Sequence, residues 1–532
     1  MRRYPGELPR ETSGFVGRGR ELAALAATLA SARLVTVTGP AGVGKTRVAL
    51  RAAADSGPRF ADGVCLAELG GLRDPDLVPH TVAACLGLPQ QDARSGTDAV
   101  VDYLSDRRIL LVLDTCEHVL GGCGPLVGAL LREAPGVTVL ATSRQPLDLP
   151  GEHLFALPPL PVPGPEMPSG GGDAVELFAQ RAAAVLPGFA VSDANRGEVT
   201  RLCRRLDGIP LAIELAAVQL RSTSLQTLSG GLEYRFLALA GGGRAALPHQ
   251  QTLRTAIAWS YDLCSPAEQV LWTRLSVFAG PFTIPAAEMV CAAGVLGQPD
   301  ILTALIGLVD KSVALLQRGR GDEQPRYRLL DTIREFGAEQ LARSGEQAAA
   351  RDRHTAYFLG LAEDFAGHDK DGDQLERFRA LRAEHPDLRA ALGYALGPPG
   401  TAGDGPLAAR LASALRPYWE ISGLLREGRF WADKILPQLP AAGGGREWLL
   451  LTRGVLGIFQ GELGEATADL EASIAAAREP GSELACALGY TYLCLGFVFS
   501  GRYPEAAAAG AAAEERLGAA GHRSGLVSLD IH

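Results

Sequence analysis

The chain has 532 residues, of which 47% are hydrophobic and 21% are charged, so it is long enough for several domains and too apolar to be disordered as a whole. Its 51 basic and 60 acidic residues give a formal charge of −9, which does not suit a protein that coats nucleic acid over its whole surface. Nine cysteines are scattered without a CxxC pair, which favours reduced thiols in hydrophobic cores over a disulfide scaffold or a metal site.

The first part of the chain alternates short aliphatic runs with helical patterns. The predicted strands are Leu34–Thr38, Val64–Leu69, Ile109–Leu113, Val137–Thr142 and Leu154–Leu157. Strands of this composition are typical of a parallel sheet that is covered by helices on both faces. Prolines at 158–165 and glycines at 170–172 then predict a linker, so we place the end of an α/β domain there.

The middle of the chain has mainly helical patterns. Residues 173–239 are predicted to be helical, with Asp173 as the N-cap, and three glycines at 241–243 end this region. A second group consists of helices over Leu253–Leu263, Ala267–Phe278 and Ile301–Val309 and a hairpin of Val313–Gln317 and Arg326–Leu330, with a polar turn at 318–325. Helices followed by a two-stranded hairpin indicate a winged-helix domain. Residues 332–396 are predicted to be helical again.

A short motif recurs in the last part of the chain. Gly461–Ala466 reads GELGEA, and Gly501–Ala506 reads GRYPEA 40 residues later, each between apolar helices. This pattern is typical of tetratricopeptide (TPR)-type helical hairpins. Two copies are few, so either the array is short or the sequence is part of a longer protein. The uncharged stretch Leu484–Gly501 contains several glycines and polar residues, which favours a buried repeat helix over a membrane span.

Residues 39–46 read GPAGVGKT and match the phosphate-binding loop GxxxxGK[ST] between a predicted strand and a predicted helix. Backbone N–H groups of such a loop surround phosphates, and the helix N-terminus adds positive potential. Lys45, one of only four lysines in the chain, would reach the β- and γ-phosphates. The hydroxyl of Thr46 would bind Mg²⁺.

Two further residues follow predicted strands near this loop. The aliphatic strand Ile109–Leu113 ends in Asp114, which predicts a Walker B carboxylate that orders Mg²⁺ through its water shell. Arg144 follows the next strand and is placed to sense the γ-phosphate, although an arginine at a strand end can equally be solvated. We therefore expect Lys45, Asp114 and Arg144 to act in catalysis, with Mg²⁺ held by Thr46 and Asp114.

Several motifs occur in the order and spacing of one protein class. They are Phe15–Arg18 (FVGR), the P-loop, Leu111–His118 (LVLDTCEH), Ala141–Arg144 (ATSR), Gly208–Leu211 (GIPL), Gln251–Arg254 (QTLR), Trp259–Tyr261 (WSY) and Tyr327–Thr332 (YRLLDT). Over roughly residues 12–340 the chain thereby resembles STAND ATPases of the NB-ARC type, in the form found in LuxR-type and AfsR-type bacterial regulators. The expected domains are an ASCE- or AAA-like α/β P-loop domain (12–160), a helical domain (173–245), a winged-helix domain (250–340), a helical linker region (345–400) and TPR-like repeats, possibly truncated (401–532).

The resemblance also implies roles for individual residues. Val16 and Arg18 would flank the adenine, Pro210 would close on the base and ribose, and Arg144 would be sensor 1. Without the other motifs, Gly208 and Pro210 would indicate only a helix break. The complete set of expected nucleotide-binding residues is Val16, Arg18, Gly39, Pro40, Ala41, Gly42, Val43, Gly44, Lys45, Thr46, Arg47 and Pro210.

The sequence departs from the family pattern at two places. Relatives can carry a winged-helix histidine that touches the β-phosphate, whereas the corresponding stretch here is Leu329–Asp331. Relatives often have Asp or Asn after the Walker B aspartate, whereas this chain has Thr115, which accepts a proton poorly from an attacking water. Glu117 either faces the site or is a structural residue. We therefore expect at most a weak, slow ATPase.

These features predict a cytoplasmic switch that binds ATP or ADP with Mg²⁺ and regulates transcription. ADP and the winged helix would hold it closed, and an unknown inducer or protein partner at the C-terminal repeats would open it, with a possible homo-oligomer in the ATP state. No separate helix-turn-helix fits before residue 12 and the winged helix is poorly basic, so we expect DNA contact to be indirect or through a missing module. The alternative is an ATP-driven, remodelling-type enzyme without a transcriptional role, and the intact P-loop argues against a nucleotide-independent scaffold.

Overall fold

The structure, a computed structural model, describes residues 8–9, 14–88, 96–163, 172–221, 223–230, 248–317, 324–367, 374–397, 403–441, 443–477 and 482–519. The chain divides into two compact units. The first consists of Met1–Gly71 and Tyr103–Arg353, and the second consists of Leu72–Asp102 and His354–His532. A segment that interrupts the first unit in sequence therefore belongs to the second unit.

The first unit contains a five-stranded parallel sheet with the strand order β2-β3-β4-β1-β5. Its strands are β1 (Leu34–Thr38), β2 (Gly63–Glu68), β3 (Ile109–Asp114), β4 (Thr138–Thr142) and β5 (Glu152–Ala156). Each lies within two residues of its predicted position, which confirms the predicted α/β fold. The three inner strands β3, β4 and β1 are almost completely buried, which explains why they are continuous aliphatic runs.

A hydrophobic core fixes the two helices that flank the P-loop region. The helix Gly19–Ser31 contributes Leu25 and Leu29, and the helix Lys45–Ser56 contributes Val48 and three alanines to a cluster with residues of β1, β3 and β4. Each fully buried leucine or valine contributes about 1.5–3 kcal/mol through burial of apolar surface. The position of Lys45 at the start of its helix is therefore set by packing. A further helix, Leu120–Glu133, lies between β3 and β4 in sequence.

The region after the linker is helical, as predicted. Its helices are Asp173–Val185, Asp193–Arg205 and Pro210–Val218, followed by a short 3₁₀ turn at Gln219–Arg221. The prediction that Asp173 is an N-cap is wrong, because Gly172 occupies that position and Asp173 is the first helical residue. Its carboxylate instead accepts a hydrogen bond from the Arg18 backbone N–H at 3.2 Å. The predicted glycine break at 241–243 and most of the predicted linker glycines lie outside the described residues.

Four helices and a hairpin form the winged-helix region. They are Pro248–Asp262, Pro266–Leu275, Ile284–Cys291, Gln298–Asp310, and the antiparallel strands β6 (Ala314–Gln317) and β7 (Arg326–Leu329). The winged-helix prediction is confirmed, and six of the predicted turn residues, 318–323, lie outside the described residues. The helix Ile284–Cys291 is not among the predicted elements, although its start carries a local signal. Thr283 caps it by accepting the Ala286 N–H at 3.3 Å, and a proline occupies its first turn.

The second unit is built from helices. They are Val78–Cys85, Gly96–Leu104 at its border, Gln347–Gly367, which begins in the first unit, Gln374–Ala383, His385–Leu396, Gly405–Ala414, Arg416–Ser422, Leu425–Ile435, Arg446–Phe459, Leu463–Ala476, Glu483–Phe499 and Tyr503–Ala519. The repeated motif falls at the turn of two successive helical hairpins, where Gly461 and Gly501 have φ of +79° and +70°. This placement supports an internal repeat, and its assignment as a TPR remains a prediction. Among the described residues, no helix has both the length and the hydropathy of a membrane span.

The segment 72–102 packs on the C-terminal helices of its unit. The Arg389 guanidinium donates to the hydroxyl of Thr81 at 2.9 Å while pairing with the buried carboxylate of Glu427 at 2.6 Å. Lys434 forms ion pairs with Asp74 and Asp76 of the same segment. The expected division into five domains places this segment in the P-loop domain, and that division remains a proposal.

Candidate nucleotide-binding site

The P-loop connects β1 to the helix Lys45–Ser56. Gly39, Gly42 and Gly44 have φ of +150°, +72° and +96°, a backbone region that residues with a side chain rarely adopt. A Cβ atom at Gly39 would also lie 2.7 Å from the carbonyl oxygen of Leu157. The glycines are therefore required by the loop conformation, which turns successive N–H groups towards an anion.

The side chain of Lys45 folds back onto the P-loop, which precedes it in the chain. Its Nζ donates to the carbonyl oxygens of Gly39 and Pro40 at 3.0 and 3.1 Å. Burial lowers the pKa of this ammonium, while the carboxylate of Glu117 acts in the opposite direction. A phosphate would replace two neutral carbonyl acceptors with charged oxygens, and charge-assisted hydrogen bonds are stronger.

The predicted Mg²⁺ residues are in direct contact. The Thr46 hydroxyl donates to Oδ1 of Asp114 at 2.7 Å, and the Thr142 hydroxyl donates to the same oxygen at 2.6 Å. Burial raises the pKa of the Asp114 carboxyl, and these hydroxyl groups act against the shift. Within the described ranges, no group of three or more His, Cys, Asp or Glu side chains could hold a metal ion. A Mg²⁺ here would thus need phosphate oxygens and water as further ligands, and the hydroxyl–carboxylate pair fits that use.

Thr115 and Glu117 occupy the short segment after β3. Thr115 has φ of +63°, and its hydroxyl lies 3.3 Å from Oδ2 of Asp114. Its N–H donates to the Thr142 hydroxyl at 2.8 Å, which ties the end of β3 to β4. Glu117 is 11% exposed and faces the site, where Oε1 pairs with Nε of Arg144 at 2.9 Å. The structural and site-facing interpretations of Glu117 are therefore both compatible with its position.

Arg144 follows β4 and is paired with two carboxylates from different parts of the first unit. Besides Glu117, it contacts Oε1 of Glu335 through Nη2 at 2.6 Å. Glu335 belongs to the helix Asp331–Ser344, which follows the winged-helix hairpin. Arg144 is 36% exposed, so it remains partly in contact with solvent while it makes these ion pairs, and its role as a phosphate sensor stays a prediction.

A cleft next to the P-loop brings together the residues expected around the base. It is lined by Phe15, Val16, Arg18, Val43, Gly44, Arg47, Val48, Leu160, Leu177, Pro210 and Glu214. Val16 and Arg18 come from one sequence motif, and Pro210 comes from another. The Arg18 guanidinium is held by Glu21 at 2.9 Å and by the Val43 carbonyl at 3.3 Å.

The helical region closes this cleft through backbone contacts. The N–H of Leu211 donates to the Gly42 carbonyl of the P-loop at 3.2 Å, and the N–H of Leu160 donates to the Gly208 carbonyl at 2.8 Å. Gly208 has φ of +64°, and a Cβ atom there would lie 2.2 Å from the Leu160 carbonyl oxygen. Gly208 is therefore required by a close approach of two chain segments, beyond a simple helix break.

The structure places all the predicted site residues in one region of the first unit. Lys45 and Thr46 lie beside Asp114 at the start of the helix that follows the P-loop, and Val16 and Pro210 lie in the neighbouring cleft. Sequence reasoning missed Phe15, Leu177, Glu214, Thr142 and Glu335. Thr142 and Phe15 lie in motifs that were recognised, so a local signal existed for these two.

The stretch that lacks the histidine of relatives begins the helix Asp331–Ser344. Asp331 is the first residue of that helix and pairs with Arg334 at 2.7 Å. The buried Arg334 also donates to the Gly70 carbonyl, just after β2, at 3.1 Å. This helix therefore reaches the carboxyl end of the sheet through Arg334 and Glu335, without a histidine.

Comparison with known proteins gives matches to bacterial regulators. A winged helix-turn-helix domain family matches residues 264–342. "Putative HTH-type transcriptional regulator Rv0890c" of Mycobacterium tuberculosis is 40% identical over 410 residues, which are 77% of this chain and 44% of that protein. "Uncharacterized protein Rv0894" of the same organism is 38% identical over 350 residues, 65% of this chain and 86% of that protein. "Regulatory protein AfsR" of Streptomyces coelicolor is 28% identical over 406 residues, 70% of this chain and 37% of that protein.

The chain spans less than half the length of the mycobacterial HTH-type regulator that it matches. Among solved structures, a STAND protein with a tetratricopeptide repeat sensor from Pyrococcus horikoshii matches 98% of this chain and 79% of its own, with a TM-score of 0.48 and 15% identity. Similarity at that level is too low to transfer a function.

Proposed function

Because the chain belongs to the STAND-type ATPase regulators (signal transduction ATPases with numerous domains), we propose that it is a switch whose conformation depends on whether ADP or ATP occupies the P-loop site. The observation that carries this proposal is the convergence of the P-loop, the helix Pro210–Val218 and the helix Asp331–Ser344 at one site. A nucleotide bound there would contact several regions at once, so its identity could bias their packing.

The phosphate end of the site supports Mg²⁺-nucleotide binding. Lys45 would exchange the carbonyls of Gly39 and Pro40 for phosphate oxygens. Thr46 and Asp114 would hold Mg²⁺, which would supply neutralisation of phosphate charge. Thr142 keeps the Asp114 carboxylate oriented through its 2.6 Å hydrogen bond.

The base end of the site supports an adenosine nucleotide. The lining is mainly apolar, with Phe15, Val16 and Pro210 on its walls and the cationic Arg47 beside them. An apolar cleft with few polar groups suits a purine ring, which gains by leaving water. Closure by Gly208 and Pro210 would keep the nucleotide from leaving quickly.

Hydrolysis is proposed to be slow because the residues that directly follow Asp114 in the chain are poorly suited to accept a proton from an attacking water. Thr115, the next residue, is a poor base, and its hydroxyl contacts the Asp114 carboxylate. Glu117 is the nearest further carboxylate in sequence, and its Oε1 is engaged by Arg144. Slow turnover suits a regulator, since the lifetime of the ATP state then sets the length of the signal.

The regulatory output is proposed to be transcriptional and to require another molecule or module. One relative is named a putative HTH-type transcriptional regulator, and another is named a regulatory protein. In winged-helix proteins a helix can enter the DNA major groove, and the corresponding helix here would be Gln298–Asp310. Its sequence, QPDILTALIGLVD, has two aspartates and no basic residue, which does not favour contact with phosphates. An inducer or partner at the C-terminal helices would act on the switch, and the ATP state could form a homo-oligomer.

Identification of the nucleotide retained by the purified chain tests the proposal. We expect ADP to be released on mild denaturation, and we expect Lys45→Ala to abolish retention because the phosphate charge loses its buried partner. Arg132→Ala is a matched control, since it removes a cation whose side chain is 70% exposed at the end of another helix. Absence of measurable ADP and ATP affinity with Mg²⁺ would refute nucleotide binding. An empty site with rapid steady-state turnover would instead favour an ATP-driven, remodelling-type enzyme.

A further inference from the structure

Arg144 is shared between two carboxylates that belong to different structural elements. Glu117 comes from the segment directly after β3, and Glu335 comes from the helix Asp331–Ser344 beyond the winged-helix hairpin. They contact Nε and Nη2 of the guanidinium at 2.9 and 2.6 Å. The pair between Arg144 and Glu335 joins residues 191 positions apart in the sequence.

Packing holds Glu335 in place independently of this ion pair. Its neighbours Ile333 and Phe336 are buried, and the Ile333 carbonyl accepts the indole N–H of Trp272 at 3.1 Å. The residue directly before Glu335, Arg334, donates to the Gly70 carbonyl at 3.1 Å. The carboxylate at 335 is thus presented to the site by a docked helix.

Arg144 lies near Lys45, the lysine of the P-loop. Lys45 lies close enough for both Arg144 and the two glutamates to influence the pKa of its ammonium, after the larger effect of burial. His118 lies 3.6 Å from Glu335. A third phosphate group entering this region would bring negative charge next to a carboxylate that already occupies the arginine, and like charges at short range repel.

We propose that Glu335 determines the nucleotide preference of the site by competing with the γ-phosphate for Arg144. With ADP bound, Arg144 remains with Glu335 and the helix Asp331–Ser344 stays docked. With ATP bound, the γ-phosphate competes with Glu335 for the Arg144 guanidinium, which weakens the contact that holds this helix at the site. This inference rests on the proposed function, because it assumes that the P-loop site binds both nucleotides.

Glu117 does not serve this purpose, although it contacts the same guanidinium. It lies three residues after Asp114 on the strand connection of the sheet itself, so it stays beside Arg144 wherever the winged-helix region goes. Of the two partners, Glu335 is the one that belongs to the helix Asp331–Ser344, so its contact with Arg144 depends on where that helix lies. The competition therefore links the nucleotide to the winged helix through one residue.

The test compares ADP and ATP affinities of Glu335→Gln in the full chain, measured with Mg²⁺ by calorimetry or by displacement of a fluorescent nucleotide. Loss of the carboxylate charge frees Arg144, so we expect ATP to bind about five-fold more tightly, the factor corresponding to one part-exposed ion pair. ADP affinity is expected to change less than about two-fold. Glu339→Gln is the matched control, because Glu339 lies one turn further along the same helix and pairs with Arg254 at 3.1 Å, away from the site.

A double-mutant cycle separates competition from a general structural effect. In an Arg144→Ala background, Glu335→Gln is expected to leave the ratio of ATP to ADP affinity unchanged, since the contested cation is gone. An unchanged ratio in the single variant, or equal changes for ADP and ATP, would overturn the inference while leaving nucleotide binding intact. If the wild-type chain binds neither nucleotide, the proposed function fails first. Circular dichroism of each variant checks that the fold is retained.

Discussion

Replacement of Gly208 by alanine should both destabilise the first unit and open the proposed nucleotide cleft. Gly208 has φ of +64°, and the added Cβ would lie 2.2 Å from the carbonyl oxygen of Leu160. A left-handed conformation costs a residue with a side chain about 1–2 kcal/mol. Relief of the overlap would break the 2.8 Å hydrogen bond from the Leu160 N–H to the Gly208 carbonyl, which contributes about 1 kcal/mol. We therefore expect a loss of about 2–3 kcal/mol in the free energy of unfolding.

Gly188→Ala is the matched control for this substitution. Gly188 has φ of +86°, and no atom lies within 4 Å of a Cβ built there, so only the conformational cost of about 1–2 kcal/mol applies. Urea unfolding followed by circular dichroism gives the stability change, and ADP titration gives the effect on the cleft. Because Leu160 and Pro210 line that cleft, we expect about ten-fold weaker ADP binding for Gly208→Ala, the equivalent of about 1.4 kcal/mol, and little change for the control. Equal effects of the two substitutions would refute the close-approach argument.

Three further predictions concern other parts of the first unit. Burial raises the pKa of the Asp114 carboxyl, so Mg²⁺-dependent stabilisation by ADP should be lost at a higher pH than for an ordinary aspartate as the pH falls. A series of thermal-shift measurements at different pH values checks this expectation. Asp114→Asn should remove the Mg²⁺ effect at every pH. Arg274→Ala should lower the free energy of unfolding by about 3 kcal/mol, because this buried guanidinium donates to the Cys291 and Ala293 carbonyls at 2.9 and 2.8 Å. Arg254→Ala removes an exposed ion pair and should lower it by less than about 1 kcal/mol in the same urea unfolding assay. Fluorescence anisotropy with duplex DNA should show no binding by the helix Gln298–Asp310. This expectation would be contradicted by a DNA affinity that falls steeply with salt and that substitutions on this helix weaken.

The pH prediction depends on the sign of the shift at Asp114. A carboxyl whose pKa is higher in the folded than in the unfolded chain binds protons more readily when folded. Without metal, this residue therefore contributes to stability at low pH and loses that contribution as pH rises through the raised pKa. A bound Mg²⁺ favours the ionised carboxylate and reverses this preference, which is why metal binding and protonation compete.

Features that depend on residues close together in the chain can be predicted from the amino-acid sequence. The glycine pattern of residues 39–44 specifies a loop of unusual φ angles, and continuous aliphatic runs specify buried strands such as β1 and β3. The carboxyl ends of parallel strands meet at one edge of a sheet, so Asp114 and Arg144 could be predicted to lie near the P-loop before their contacts were known.

The residues that meet those motifs from distant parts of the chain are known from the folded structure and not from local patterns. Glu335 reaches Arg144 across 191 positions because the Asp331–Ser344 helix docks by packing, and nothing in its local sequence marks it as a site residue. The segment 72–102 likewise follows β2 in sequence yet belongs to the second unit, where Arg389 contacts Thr81. Local patterns encode backbone conformation, whereas pairings of this kind depend on the burial and charge of surfaces that are brought together only when the chain is folded.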